Sequence, residues 1–346
     1  MSDEITQKDI DNFITSRPHV FILGAGASRA ALPDGDANGL QSPVMAGFLK
    51  EANLENIISG IPLKTRSNNL EDIYSEIHAS KKYPDVLKKL EQGISTYFRQ
   101  FVLPFQPTIY DYLLLSLRSK DYIFTFNWDD LLVQACYRAS GITRNLPKIY
   151  FLHGNVSMAF CDHCEQLYHY SDKACPQCGH TLRPQSLLYP VKQKDYEKDK
   201  SIANAWHDFL IVLKNCSLLT IFGYGAPPSD SAAIEKMKIA FSSTFRRFDS
   251  VEIIDIKDEN TLMNEWNDFL RPTNYHVEFP SDFFHSIVAR FPRRSVEGYH
   301  LTNFSGFWGD SDLKLKQFSS RWELADWLQP LLDNEEKGDF SVITNR

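Results

Sequence analysis

Four cysteines stand in two pairs, Cys161-x-x-Cys164 and Cys175-x-x-Cys178, with ten residues between the pairs and Gly179 directly behind. Two thiolates at this spacing clamp one edge of a tetrahedral ion and a second pair closes it, so the pattern is that of a zinc knot. Four sulfurs fill the shell and leave no position for water, which makes the metal structural. His163, His169 and His180 lie close by as spare ligands. Just upstream, the apolar run Ile149–Leu152 ends in His153-Gly154-Asn155-Val156. An imidazole is suited to taking a proton from a hydroxyl or a water at neutral pH. A lone histidine after a strand is more often a core residue, and what distinguishes His153 is its company.

That company sits at the ends of other apolar runs. His19–Leu23 reads as a strand buried on both faces of a parallel sheet, and it runs into Gly24-Ala25-Gly26-Ala27-Ser28. Small residues at a strand-to-helix turn let backbone amides approach a phosphate. The third glycine of a dinucleotide fingerprint would fall at position 29, which is Arg, so a tight turn without a ligand fits this piece equally well. Asp121–Phe126 delivers Asn127-Trp128-Asp129, where helix capping is the plain alternative to a ligand role. Leu218–Phe222 ends in Gly223-Tyr224-Gly225-Ala226-Pro227-Pro228-Ser229-Asp230, and Val251–Ile256 carries Asp255 near its tip. Five polar or glycine-rich tips along one sheet edge define a crevice of dinucleotide size.

Strands alternating with helical stretches give an α/β chain with a doubly wound, Rossmann-like parallel sheet. Helices are expected over 3–16, over 131–140 and over 201–214, and a last strand over 275–279. Val86, Leu87, Leu90, Ile94, Tyr97, Phe98 and Phe101 make a stripe at i, i+3/i+4 spacing, read as packing. Residues 1–346 are read as one domain. It carries a helical insertion at 40–118, a zinc-ribbon module at 158–183 and a C-terminal helical extension at 281–346, whose residues 333–346 read as a frayed tail. The segment Leu182–Pro190 returns the chain to the sheet.

The 346 residues are 43% apolar, enough for a large core, and the net charge of -7 argues against a dedicated nucleic-acid binder. Six cysteines, four of them in the paired motif, speak for metal usage in a reducing compartment. Cys136 and Cys216 read as buried thiols. An acidic N-terminus without a signal-peptide core, and no apolar run near the ~20 residues of a membrane helix, lead to the expectation of a soluble cytoplasmic protein.

From about residue 19 to residue 280 the chain resembles the sirtuin superfamily. Gly24-Ala25-Gly26-Ala27-Ser28 stands where sirtuins carry Gly-Ala-Gly-x-Ser, and Thr125-Phe126-Asn127-Trp128-Asp129 resembles their Thr-Gln-Asn-x-Asp. His153-Gly154-Asn155-Val156 is followed by the first cysteine pair, and Cys175-Pro176-x-Cys178-Gly179 with Leu182-Arg183-Pro184 is similar to the second half of their zinc module. The resemblance implies that NAD lies across the crevice as substrate and that its nicotinamide–ribose bond is broken. It implies His153 as general base, with Asn127 and Asp129 near the ribose and nicotinamide. It implies Gly24, Ala25, Gly26 and Ser28 as phosphate contacts, Asp255 near the adenosine end, and Asp34, Gly223, Gly225 and Asp230 as further NAD contacts. Asp34, Asp36 and Asp230 also read as turn and cap residues.

The departures select a branch. Deacylating sirtuins follow Pro-Asp with Phe-Arg, whereas Pro33-Asp34 is followed by Gly35-Asp36. They carry Phe-Gly-Glu beside the acyl-lysine channel, whereas this chain has Leu188-Tyr189-Pro190-Val191. Gly223-Tyr224-x-x-Pro227-x-x-Asp230 is similar to the sirtuin-like NAD-degrading proteins of bacterial antiviral systems. The expectation is therefore an NAD glycohydrolase with water as nucleophile, acting as a defence effector and triggered by a sensor protein or small molecule, in an oligomer. NAD-dependent lysine deacylation is the alternative, and a module binding NAD or ADP-ribose without turnover is a third.

Overall fold

The run His19–Leu23 forms strand β1, with all five residues buried, as a strand covered on both faces requires. The structure is a computed structural model that describes residues 15–170, 172–191, 194–242, 249–270 and 276–344. The helix expected over 3–16 lies almost wholly outside these residues. After β1 come α1 (Ala25–Ala31), α2 (Phe48–Glu51), α3 (Glu55–Ile58), α4 (Leu70–Ser80), α5 (Pro84–Phe98) and α6 (Ile109–Leu115). Then follow β2 (Tyr122–Thr125), α7 (Leu131–Ser140) and β3 (Lys148–Phe151). A small three-stranded antiparallel sheet comes next, made of β4 (Met158–Cys161), β5 (Gln166–His169) and β6 (Arg183–Pro184) in the order β5-β4-β6. The chain continues with α8 (Lys200–Asn215), β7 (Leu218–Phe222), α9 (Ser231–Ser242), β8 (Ser250–Ile254), α10 (Glu259–Glu265), α11 (Asn267–Leu270) and β9 (His276–Glu278). It ends with α12 (Ile287–Arg290), α13 (Ser295–Phe304) and α14 (Arg321–Glu336).

The main sheet has the order β3-β2-β1-β7-β8-β9, and every pairing is parallel. The chain builds outward from β1 on one side and then returns to build outward from β7 on the other. The order reverses between β1 and β7, which is where a doubly wound sheet opens its ligand crevice. The two-residue period of β1 divides the core. Phe21 and Leu23 pack with α1 and the helices of 48–115, while Val20 and Ile22 pack with α8, α9, α10 and α11. From the α5 stripe, Leu90, Ile94, Tyr97, Phe98 and the following Phe101 are buried in the first of these layers.

Two expectations are corrected. The tail is not frayed from residue 333: α14 runs to Glu336, and Glu335 lies between the buried guanidinium groups of Arg293 and Arg294, at 2.6 Å from each. The Ile343 carbonyl then accepts from the Asp312 amide. Charge pairing in a buried place holds a stretch that its polar composition alone would release. Leu182–Pro190 does not rejoin the main sheet, since β6 pairs with β4. Cys216 is buried as expected, whereas Cys136 is half-buried. No helix among the described residues is long and apolar enough to cross a membrane.

Candidate active site

The two glycine turns meet at the switch point. A Cβ on Gly24 would lie 2.5 Å from the Gly223 carbonyl oxygen, and one on Gly223, whose φ is +60°, would lie 2.3 Å from the Ala27 nitrogen. Only glycine lets these backbones approach so closely. The same contact uses the amides: Gly24 N–H donates to Phe222 O and Gly26 N–H to Gly223 O. Of the three amides in the turn, Ala25 alone has no protein acceptor among the described residues. The glycines thus interlock two strand tips, and the cradle offers a ligand fewer amides than its sequence suggests.

Beside the turn, a buried hydrogen-bond cluster orients Asn127 and Asp129. The Asn127 amide nitrogen donates to Gly24 O (2.8 Å) and Ser28 Oγ (2.9 Å), with Tyr110 Oη at 3.3 Å. A backbone carbonyl only accepts, so the amide cannot be flipped. Its oxygen makes no hydrogen bond among the described residues, and Asn127 lines the cavity described below. Ser28 Oγ donates to Asp129 Oδ2 (2.7 Å), and Asp129 Oδ1 accepts from the Leu131 amide (3.2 Å), starting α7. Burial pushes the Asp129 carboxyl up to about 6. Ser28 is saturated within this cluster and lies off the cavity wall, so it positions the other two groups.

His153, two residues beyond β3, is 5% exposed and stands nearly perpendicular to the Phe126 ring, ring centres 4.7 Å apart. Its Nε2 is sealed from solvent with no hydrogen-bond partner among the described residues, and Asp230 Oδ1 lies 3.7 Å away. Burial lowers the His153 pKa to about 3, against the opposing pull of Asp230 and with the help of Lys194. The ring is therefore held neutral at physiological pH. Asp230 itself takes the Tyr224 hydroxyl at Oδ2 (2.8 Å) and an ion pair from Lys194 at Oδ1. Tyr224 in turn stacks flat on Phe126, 4.2 Å between centres. Glu71, whose amide is capped by Asn69 in the first turn of α4, also lines the cavity, and burial raises its carboxyl.

These groups surround a cavity of about 850 Å³, within the usual range for a small-molecule site. Gly24, Ala25, Gly26, Asn127, Asp129, His153, Gly223, Gly225, Asp230 and Asp255 all line it. Asp34 does not, and is exposed. The cavity-lining cations are Arg29, Lys194 and Lys257. Lys194 is held by Asp230 and Lys257 by both oxygens of Glu265. Among the described residues the Arg29 side chain has only a 3.5 Å bond to the Ser42 carbonyl, so of the three lining cations it is the one with charge to offer. Arg29, Glu71, Lys194 and Tyr224 line the cavity, and Tyr110 stands behind it against Ser28 and Asn127; Glu71, Tyr110 and Lys194 come from elements far apart in the chain and carry no local signal. Arg29 and Tyr224 did carry a signal, the first as the residue replacing the third glycine and the second as part of the Gly223–Asp230 pattern.

Leu188–Val191 packs against the helical insertion. Tyr189 stacks on Tyr74 (5.4 Å), and Ser75 Oγ donates to the Pro190 carbonyl (2.8 Å). Leu188 N–H donates to the His153 carbonyl, tying this segment to the histidine's backbone.

The four cysteine sulfurs lie within 4.8 Å of one another, with Cys161–Cys178 at 3.5 Å and Cys164–Cys175 at 3.8 Å. A tetrahedron of Zn–S bonds of about 2.3 Å has edges of about 3.8 Å, so the four thiolates fit zinc. His163 and His180 stack on each other at 4.5 Å beside the cluster.

No protein-family model matches the chain, and no curated protein matches it at a significant level. Solved structures of Sir2 proteins do match. One is Sir2 in complex with the inhibitor EX-527, 2'-O-acetyl-ADP-ribose and deacetylated p53-peptide, 16% identical with a TM-score of 0.40, covering 87% of this chain and 99% of that one. A Sir2–p53 peptide–NAD+ structure gives the same values. An ADP-ribose complex of a Sir2 homologue variant is 14% identical with a TM-score of 0.42, covering 86% and 98%.

Proposed function

We propose that the protein is an NAD glycohydrolase that cleaves the nicotinamide–ribose bond and delivers the ribosyl carbon to water. The observation that carries this reading is the convergence in one cavity of an Asn127 amide oxygen, a neutral buried His153 and the carboxylates of Asp129 and Asp230. Breaking the glycosidic bond leaves positive charge on the ribose. Asn127, its NH2 spent on Gly24 and Ser28, offers its oxygen to that charge, with Asp129 held beside it. His153 takes the proton of the attacking water. Arg29 meets the diphosphate, because the other two lining cations are already paired. Cys161, Cys164, Cys175 and Cys178 would hold zinc, which supplies a cross-link for the small sheet.

Water is favoured over an acyl-lysine because Leu188–Val191 is engaged by α4 of the insertion through Tyr74 and Ser75. The Gly223-to-Asp230 pattern supports the setting of an antiviral effector that depletes NAD once a sensor protein or small molecule activates it. The test is nicotinamide release from NAD by purified protein, with and without an acetylated peptide. Release independent of peptide is expected, and strictly peptide-dependent release would show a lysine deacylase instead. Cellular NAD after expression, compared between wild type, Asn127→Ala and His153→Ala, gives a second readout. An equal fall in all three removes the site assignment.

A further inference from the structure

We infer that Asp230 is the positioning residue of His153: its carboxylate takes the Nε2–H of the imidazole and leaves Nδ1 as the nitrogen that receives the proton. This rests on the reading of the cavity as a water-activating site and adds the group that sets the tautomer of its base. A buried ring nitrogen without a partner calls for one, and Asp230 Oδ1 at 3.7 Å is the carboxylate oxygen facing it. The carboxylate is fixed at both oxygens: Tyr224 holds Oδ2 on the far side, and Lys194 pairs with Oδ1, the oxygen that also faces the ring. The imidazole is confined as well, with the Phe126 ring nearly perpendicular to it and the Tyr196 ring roughly parallel at 6.3 Å. Small rotations of the two side chains close the gap to hydrogen-bond length. Nδ1 has no hydrogen-bond partner among the described residues and, unlike Nε2, is not sealed off.

An oriented base backed by a carboxylate is the arrangement by which a histidine accepts a proton in a fixed direction. As the water oxygen bonds to the ribosyl carbon, nicotinamide leaves with both electrons of the carbon–nitrogen bond and is neutral. The water proton passes to Nδ1, the resulting imidazolium stays hydrogen-bonded to Asp230 through Nε2–H, and the proton then goes to solvent.

The tautomer is readable without turnover. Protein labelled with 15N-histidine, with the His153 signals assigned by loss in His153→Gln, is expected to show the Nε2–H form at neutral pH. An Nδ1–H form in the wild type overturns the inference and needs no variant. Asp230→Asn is expected to lower the Nε2–H fraction and to reduce kcat about 10²-fold or more with KM nearly unchanged. An unchanged tautomer fraction in a folded Asp230→Asn protein also overturns it. An Nε2–H form that Asp230→Asn abolishes, in a protein that releases no nicotinamide when purified and does not lower NAD in cells on overexpression or phage challenge, upholds the dyad and removes the glycohydrolase reading.

Discussion

Two histidines are buried on the main sheet, and burial lowers both to about 3. His19 begins β1, and both its ring nitrogens are bonded: Nδ1 to Ser295 Oγ at 2.9 Å and Nε2 to Thr220 Oγ1 at 2.8 Å. The chain of bonds continues, as Thr220 donates to Glu252 and Glu252 accepts from the Ile287 amide. His153 lies two residues beyond β3, with no partner for Nε2 among the described residues and a carboxylate just out of reach. A depressed pKa therefore does not separate the fully bonded His19 from His153, the proposed base. Hydrogen-bond satisfaction does. Around His19 each polar group spends its capacity on the fold, whereas around Asn127 and His153 an amide oxygen and the ring nitrogens are held back from it.

The sharpest way to break this comparison is to remove each ring. His153→Ala is expected to cut nicotinamide release by about 10²–10⁴-fold with little change in melting temperature. His19→Ala should leave turnover per folded molecule intact, and a large loss there would erase the distinction. The cost of His19→Ala appears in stability instead, about 1–3 kcal/mol for each buried partner it strands, read from urea unfolding.

Asp129 tests whether the site side of the comparison is destabilised by its own chemistry. Its carboxyl is raised by burial from 3.8 to about 6, so the folded state binds the proton more tightly than the unfolded chain. This contribution to stability is therefore lost as pH rises through that window and regained as pH falls. Asp129→Asn is expected to be more stable than wild type at pH 8. The ceiling is about 3 kcal/mol, less the one acceptor the amide lacks, and the gain should shrink below pH 6. Thermal melts of both proteins across pH 5–8 measure it, and a gain independent of pH would contradict the assignment. The smallest effect concerns Arg29: Arg29→Gln should raise KM for NAD by about tenfold, roughly 1.4 kcal/mol, with kcat unchanged. Weakened ADP-ribose binding with unaltered nicotinamide binding, by calorimetry, would place that loss at the phosphates.

The strand-tip logic made much of the site legible. In a parallel sheet every strand end projects to one edge, so Gly24, Asn127, His153, Gly223 and Asp255 are bound to converge once their runs are recognised as strands. The cysteine spacing likewise needs only local chain geometry. What was not legible came from partners distant in sequence. Ser28 reads as a phosphate contact until Tyr110, 82 residues away, and Asp129 saturate it. Asp230 reads as one more NAD contact until Lys194 and Tyr224 are seen to aim it at His153. Asp34, in a turn of the same loop that buries Asp36, faces outward because Asp36 takes the amides of Asn38, Leu40 and Val102.

By itself, then, the amino-acid sequence determined the parallel α/β architecture, the four-sulfur metal knot and which residue types stand at the sheet edge, since periodicity and short-range spacing encode these. Only the tertiary structure decided which of those residues are spent on the fold and which remain free. A hydrogen bond is satisfied by groups brought together in space, and here those groups come from the first helix, the insertion and the loop beyond the zinc module. His19 and His153 look alike until that accounting is done.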